Sequence, residues 1–292
     1  MSCESGSSAD ITLERRPMSL CCSAPGPECL PVLFAFVMST AFILSYVLAI
    51  ARKDVSAGFP YISDTGATPP ESCVFTFLLN VGAFIAFVMI YVRYKQVKEY
   101  NKQDLSRILR LNTWSAVVGA IAVVGLMLVA SFQDINVFVV HVIGAVMTFV
   151  FGVMYEWMQA AMTYKMFHNR GQKRVTIIRI VIATLSTVFL ITCGITGVIA
   201  VNELHTHQKH VTVTDVVKWN SSMPGYETHI VSTTTEWAVA ICLLVYFLTF
   251  YNAFKKISLE AVVRLRLNNY TMIEDTRETQ YLDPERYKGG LY

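Results

Sequence analysis

Charged residues are scarce in this chain: they make up 15% of its 292 residues, against about 25% in an ordinary soluble domain. With 54% of the residues hydrophobic, that shortage excludes a typical water-soluble globule and points to a membrane protein. Nucleic-acid binding is excluded as well, because the basic residues stand beside apolar runs and no binding-module motif accompanies them. Metal-ligand spacing is missing from the cysteines (Cys3, Cys21, Cys22, Cys29, Cys73, Cys193 and Cys242), and so is a disulfide framework. No metal and no cofactor is therefore expected. The absence of any repeat with a period of about 20–50 residues excludes a solenoid.

What the chain has in abundance is uninterrupted apolar sequence. A spanning helix needs about 20 mostly apolar residues to cross a hydrocarbon core about 30 Å thick. Six segments qualify: Leu30–Ala51, Cys73–Val92, Trp114–Phe132, Ile135–Met162, Val175–Val201 and Trp237–Phe254. The expected fold is all-α, a polytopic bundle of six transmembrane helices over residues 30–254. A cytosolic, disordered extension (1–29) precedes it and a cytosolic tail (255–292) follows. Ala49-Ile50-Ala51 has the small residues of a signal-peptide cleavage site, but its apolar core is too long for one.

Orientation follows from Lys and Arg. With the N-terminus inside, all but four of the 24 basic residues are cytosolic, the exceptions being Arg52, Lys53, Lys209 and Lys218. The sequon Asn220-Ser221-Ser222 then faces the lumen and is the candidate N-glycosylation site, whereas Asn269-Tyr270-Thr271 stays in the cytosol. Tyr270 and Ile273 have the spacing of a tyrosine-based sorting signal, and Cys21 and Cys22 precede the first helix where palmitoylation is plausible. The basic stretch 93–110 is placed to meet anionic phospholipids.

One face of the fourth helix is small and polar: His141, Gly144, Ala145, Thr148, Gly152, Glu156 and Gln159 fall within an arc of roughly 120°. Such a face is either a close-packing seam against neighbouring helices or the wall of a ligand site. Asn80 on helix two and Glu236 at the outer start of helix six share the outer depth of His141. Convergence of Asn80, His141 and Glu236 is expected, since isolated polar groups in hydrocarbon are costly. A carboxylate beside an imidazole would give such a cluster a charge state responsive to an acidic lumen.

The first outer loop, Phe59–Glu71, joins turn formers to a Pro-Pro stop, and its candidate functional residues are Pro60, Tyr61, Asp64, Gly66 and Glu71. Asp64-Thr65-Gly66 has the form of an aspartic-protease triplet, but that chemistry needs two carboxylates sharing a proton, so a turn is expected. His205, His207, His210 and His229 gather in the second outer loop without a carboxylate or thiol framework, and are read as solvated.

The run from Phe59 to Glu71, continued by Cys73-Val74-Phe75, Leu79-Asn80 and Ile90–Val97, resembles the DNA damage-regulated autophagy modulator (DRAM) family, relatives of the FRAG and SFK membrane proteins. Further blocks at Ala130–Gln133, His141–Val146, Trp219-Asn220, Gly225-Tyr226, Thr234–Trp237 and Lys255–Leu259 carry the resemblance over residues 30 to 260. It implies a non-enzymatic multi-pass protein of lysosomal or late endosomal membranes that promotes autophagy, and influences cell death, through protein or lipid partners. More distant relatives suggest two alternatives. One is a lipid-remodelling or lipid-handling protein of the Golgi; the other is a plasma-membrane scaffold for phosphoinositide kinase complexes.

Overall fold

A computed structural model describes residues 26–56, 58–101, 106–167, 173–207 and 217–258. Cys21, Cys22, His210, Tyr270 and Ile273 lie outside the described residues, as does part of the basic stretch 93–110. The elements are α1 (Cys29–Arg52), a 3₁₀ turn (Asp64–Gly66), α2 (Glu71–Tyr100), α3 (Ser106–Ser131), α4 (Phe138–Phe167), α5 (Lys173–His207), α6 (Tyr226–Leu248) and α7 (Tyr251–Phe254). Among the described residues six helices are long and apolar enough to cross a membrane, the last made of α6 and α7 together. Large apolar side chains point outward along their length, among them Phe36, Phe77, Phe84, Val139 and Val198. That surface suits lipid, which has no water to offer unpaired backbone groups; only helices satisfy those groups within one segment.

Successive helices run antiparallel, which gives the bundle two ends. Arg52, Glu71, Ser131, Phe138, His207 and Tyr226 mark the loop end; Cys29, Tyr100, Ser106, Phe167, Lys173 and Phe254 mark the other, here called the basic end. Contacts between connections and helices bear this out. Ile62 N–H donates to Glu236 at the loop end, and Gln96 donates to the Ala253 carbonyl at the basic end.

Several helices are longer than hydropathy alone suggests. The sixth begins at Tyr226 instead of Trp237, because His229, Ser232 and Thr233 are buried inside the bundle, where the two hydroxyls are hydrogen-bonded and the imidazole packs against aromatic rings. Glu236 therefore lies about 15 Å along this helix and not at its start. Gly225 ends the preceding loop at φ 76°, and a side chain there would strike the Ala200 carbonyl, so the turn into α6 needs glycine. At the other end α2 runs on to Tyr100, and α3 starts at Ser106 instead of Trp114.

The tightest helix contact is between α3 and α4. A Cβ on Gly125 would fall 2.7 Å from the Gly144 carbonyl, and one on Gly144 would fall 3.0 Å from the Gly125 carbonyl. The two backbones approach because neither residue has a side chain, which is how helices gain packing where lipid supplies no hydrophobic drive. A core of Phe34, Met38, Phe42, Phe75, Tyr155 and Phe247 fills much of the space between the helices.

Candidate functional site

The core is not filled throughout. A largely apolar cavity runs between α1, α2, α3, α4 and α6, with Phe42, Leu79, Val123, Phe149 and Leu244 among its walls. Its volume is about 110 Å³. His141, Thr148, Tyr155, Ser63 and Glu236 are the polar residues along it.

The loop between α1 and α2 closes the cavity at the loop end. Ile62 and Ser63 line it from the loop, and Asp64, Thr65 and Gly66 are buried rather than displayed as a surface turn. Four hydrogen bonds seat the loop. Ile62 N–H donates to Glu236 Oε2 at 2.9 Å, and Trp237 Nε1 donates to the Pro60 carbonyl at 2.9 Å. Tyr61 donates to Ser232 Oγ at 2.8 Å, and that hydroxyl in turn reaches the Cys193 carbonyl at 2.9 Å. Thr65 and Ser45 share a bond of 3.0 Å. The loop is thereby tied to α1, α5 and α6, with Gly66 packed on the Phe75 ring.

Beside this seat the Tyr61 ring meets His229 edge-on at 5.2 Å, and Trp219 stacks on His229 at 4.3 Å. His229 is thus a buried packing residue and not the solvated loop histidine that the sequence suggests. His205 and His207 are exposed near the end of α5. Glu71, fully buried, accepts from the Thr68 hydroxyl at 2.5 Å and pairs with Arg52 at 3.5 Å.

Burial holds the Asp64 carboxyl well above the usual carboxylate range, and the neighbouring Asp134 carboxyl adds to this through its charge and a shared hydrogen bond. Burial also pushes the Tyr61 hydroxyl upward, so it stays a donor. Asp64 belongs to the loop and Asp134 to the α3–α4 turn, so the two carboxyls bring two connections together.

His141 and Glu236 face the same cavity, one from α4 and the other from α6. His141 Nδ1 lies 2.7 Å from the Phe132 carbonyl, which makes Nδ1 the protonated nitrogen and leaves Nε2 as an acceptor in the neutral ring. Asn80 does not join them. It sits in a separate shallow recess with Thr76, Gln133 and the outward Phe77 and Phe84, and its amide donates to the Thr76 carbonyl at 2.8 Å. That bond within its own helix satisfies a polar group without any partner across the bundle. Asn220 is exposed at the loop end, where its side chain accepts from Ser222 N–H at 3.0 Å and from the Ser222 hydroxyl at 2.6 Å. Among the described residues no His, Cys, Asp and Glu group has the arrangement to hold a metal ion.

Residues 28–257 match the Frag1/DRAM/Sfk1/Cwh43P N-terminal domain. The chain belongs to this family. It is 36% identical to DNA damage-regulated autophagy modulator protein 2 of Bos taurus over 249 residues, covering 82% of this chain and 88% of the relative. Identity with DNA damage-regulated autophagy modulator protein 1 of Homo sapiens is 35% over 241 residues, or 82% and 95% of the two chains. A modulator of macroautophagy from Xenopus laevis, TMEM150B-B, is 32% identical over 168 residues, 57% of this chain and 71% of that one. No solved structure matches.

Sequence reasoning missed two groups in this family member. Ser45, Ser232 and Trp237 hold the loop, yet Ser45 and Trp237 read as ordinary helix residues and Ser232 as part of a connection. The available signal was the polar run Ser232–Glu236 ahead of the last apolar stretch, which hydropathy assigned to the loop. The second group lies at the basic end, where Arg93 and Arg179 are 1% and 2% exposed. In a charge count they register only as topology markers.

Proposed function

We propose that this protein is a non-enzymatic regulator of autophagy in lysosomal or late endosomal membranes. In this reading both termini are cytosolic, and the bundle works through protein or lipid partners on that side, with an influence on cell death. The observation that carries it is the extent of the likeness: relatives named as autophagy modulators align with 82% of the chain at about a third identity. The geometry agrees with a sensing role. A loop that would face an acidic lumen is seated on carboxyl groups over a central cavity, so a chemical condition on one side bears on helix packing.

The test is a cell line lacking the protein, re-expressing a tagged copy. Autophagic flux is measured with and without a block of lysosomal degradation, and the tag is imaged against lysosomal, Golgi and plasma-membrane markers. Lower flux in the null line, restored by a copy in lysosomes, is the expected result. Unchanged flux together with an exclusive plasma-membrane signal would favour the kinase-scaffold branch instead.

A second reading, lipid handling or remodelling, is favoured by the apolar cavity with His141 and Glu236 on its wall. Replacing both, as His141→Gln and Glu236→Gln, separates the two. A regulator that still folds and traffics keeps most of its effect on flux, whereas an enzyme using those groups loses it.

A further inference from the structure

Two positive charges lie inside the basic end with no negative one beside them among the described residues. Arg93 on α2 and Arg179 on α5 are almost wholly buried, and their guanidinium carbons lie 5.6 Å and 4.5 Å from the centre of one ring, Phe250. They are close enough that the charge of Arg179 acts on Arg93. The ion pairs among the described residues join Arg52 to Asp54 and Glu71 at the opposite end. Neither buried arginine has a carboxylate within ion-pair distance among the described residues.

Their partners are all neutral. Arg93 donates from Nε to Gln159 at 3.0 Å and from Nη1 to Gln96 at 2.7 Å, while Nη2 is buried with no acceptor among the described residues. Arg179 donates to the hydroxyls of Thr249 and Thr163 at 2.9 and 2.5 Å and to the Thr249 carbonyl at 3.2 Å. That carbonyl is free for it because the helix breaks between α6 and α7. The Phe250 face is a weak stand-in for a counter-ion. Removing like charges from water without an opposite charge is costly, and the cost is met where an anion completes the group. A guanidinium fork matches phosphate oxygens, and two of them match a dianion. Around this end stand exposed Lys173, Arg174, Lys255 and Lys256, which draw anions toward it.

We propose that Arg93 and Arg179, with Gln96 and the Phe250 face, form a seat for a dianionic phosphate monoester reached from the basic end. Its source is either a phospholipid headgroup or a soluble phosphate. Thr249 and Phe250, at the break between α6 and α7, form part of its wall. This seat does not depend on the autophagy reading, since its readout is binding.

The test uses the full chain in phosphatidylcholine nanodiscs containing phosphatidic acid or phosphatidylserine, or in pure phosphatidylcholine discs with inorganic phosphate in the buffer. Retained lipid is read by native mass spectrometry and the melting temperature by tryptophan fluorescence. Phosphatidic acid should be retained about tenfold or more over phosphatidylserine, with that preference lost in Arg93→Gln and Arg179→Gln. It should persist in Lys255→Gln/Lys256→Gln, which removes only surface charge. A higher melting temperature with inorganic phosphate assigns the soluble source; retention of phosphatidic acid without that rise assigns the headgroup. Equal retention of the two lipids with no phosphate effect overturns the proposal. Should the Gln variants fail to fold, Arg93→Lys decides: it keeps the charge and loses the fork, so undiminished preference overturns the seat and a reduced one supports it.

Discussion

Replacing Glu236 with alanine should release the loop between α1 and α2 from the bundle. In the folded protein the Ile62 N–H is buried and its acceptor is Glu236 Oε2 at 2.9 Å. A buried donor stranded without a partner costs about 1–3 kcal/mol, which converts to roughly fivefold to 150-fold in the equilibrium between seated and released loop. The lower part of that range is expected, for two reasons. The Trp237–Pro60 and Tyr61–Ser232 bonds remain, and removing one carboxylate from the neighbourhood of Asp64 relieves some repulsion. Glu236→Gln keeps a neutral acceptor, so it should lose only the charge-assisted part, about 1 kcal/mol.

The assay is alkylation of Ser63→Cys in nanodiscs, read peptide by peptide by mass spectrometry and normalised to the exposed thiol of Cys73. Ser63 lines the cavity when the loop is seated, so its labelling rate reports the released fraction. The order expected is wild type slowest, Glu236→Gln intermediate and Glu236→Ala fastest. Equal rates in all three, with unchanged melting temperature, would refute the assignment of Glu236 as the anchor of the loop.

The same assay across pH tests Asp64, whose carboxyl is held above its ordinary range by burial and by Asp134. Above about pH 4 a released loop gives up this proton while the seated loop keeps it, so seating weakens as pH rises and is tighter in acid than at neutrality; Asp64→Asn should flatten the profile, and a wild-type profile rising the other way would contradict the sign. Gly144→Val drives a side chain into the Gly125 backbone, and overpacking of this kind costs about 1–3 kcal/mol or more; a melting temperature equal to wild type would argue against the α3–α4 contact. Glu156 is fully buried beside the Ser186 hydroxyl, with no cationic partner among the described residues, so Glu156→Met should leave thermal stability unchanged or raise it. A clear drop in its melting point would reveal a partner for that carboxyl.

How much of this could be read in the residues depends on which physical signal each part leaves. Six spans were legible because hydrocarbon demands long apolar runs, and the core of a soluble domain seldom calls for runs of that length. The boundaries were less so. Ser232 and Glu236 look like loop residues until their partners are known, Tyr61 and Cys193 for the first and Ile62 for the second, and those partners are far away in sequence. The polar face of α4 was visible as a pattern, but its purpose is divided. Gly144 meets α3, while His141, Ala145, Thr148 and Gly152 border the cavity. Periodicity identifies a face, not what stands opposite, and for Asn80 the same reasoning gave the wrong neighbour. Its amide is satisfied one turn back along its own helix, an outcome open to any helical Asn.

The buried polar groups sort by depth in a way that bears on mechanism. At the loop end the side chains that hold structure are carboxyls and hydroxyls: Asp64, Asp134, Glu236, Tyr61, Ser232 and Thr65. At the basic end they are two guanidinium groups on neutral acceptors. Helix α6 with its continuation α7 touches both layers, through Glu236 at one end and Thr249 and Phe250 at the other. A helix bonded to a proton-sensitive loop at one end and to a charge seat at the other is the element whose position both conditions bias. Coupling between the two ends then requires only that seating the loop and filling the arginine site favour different placements of that one helix.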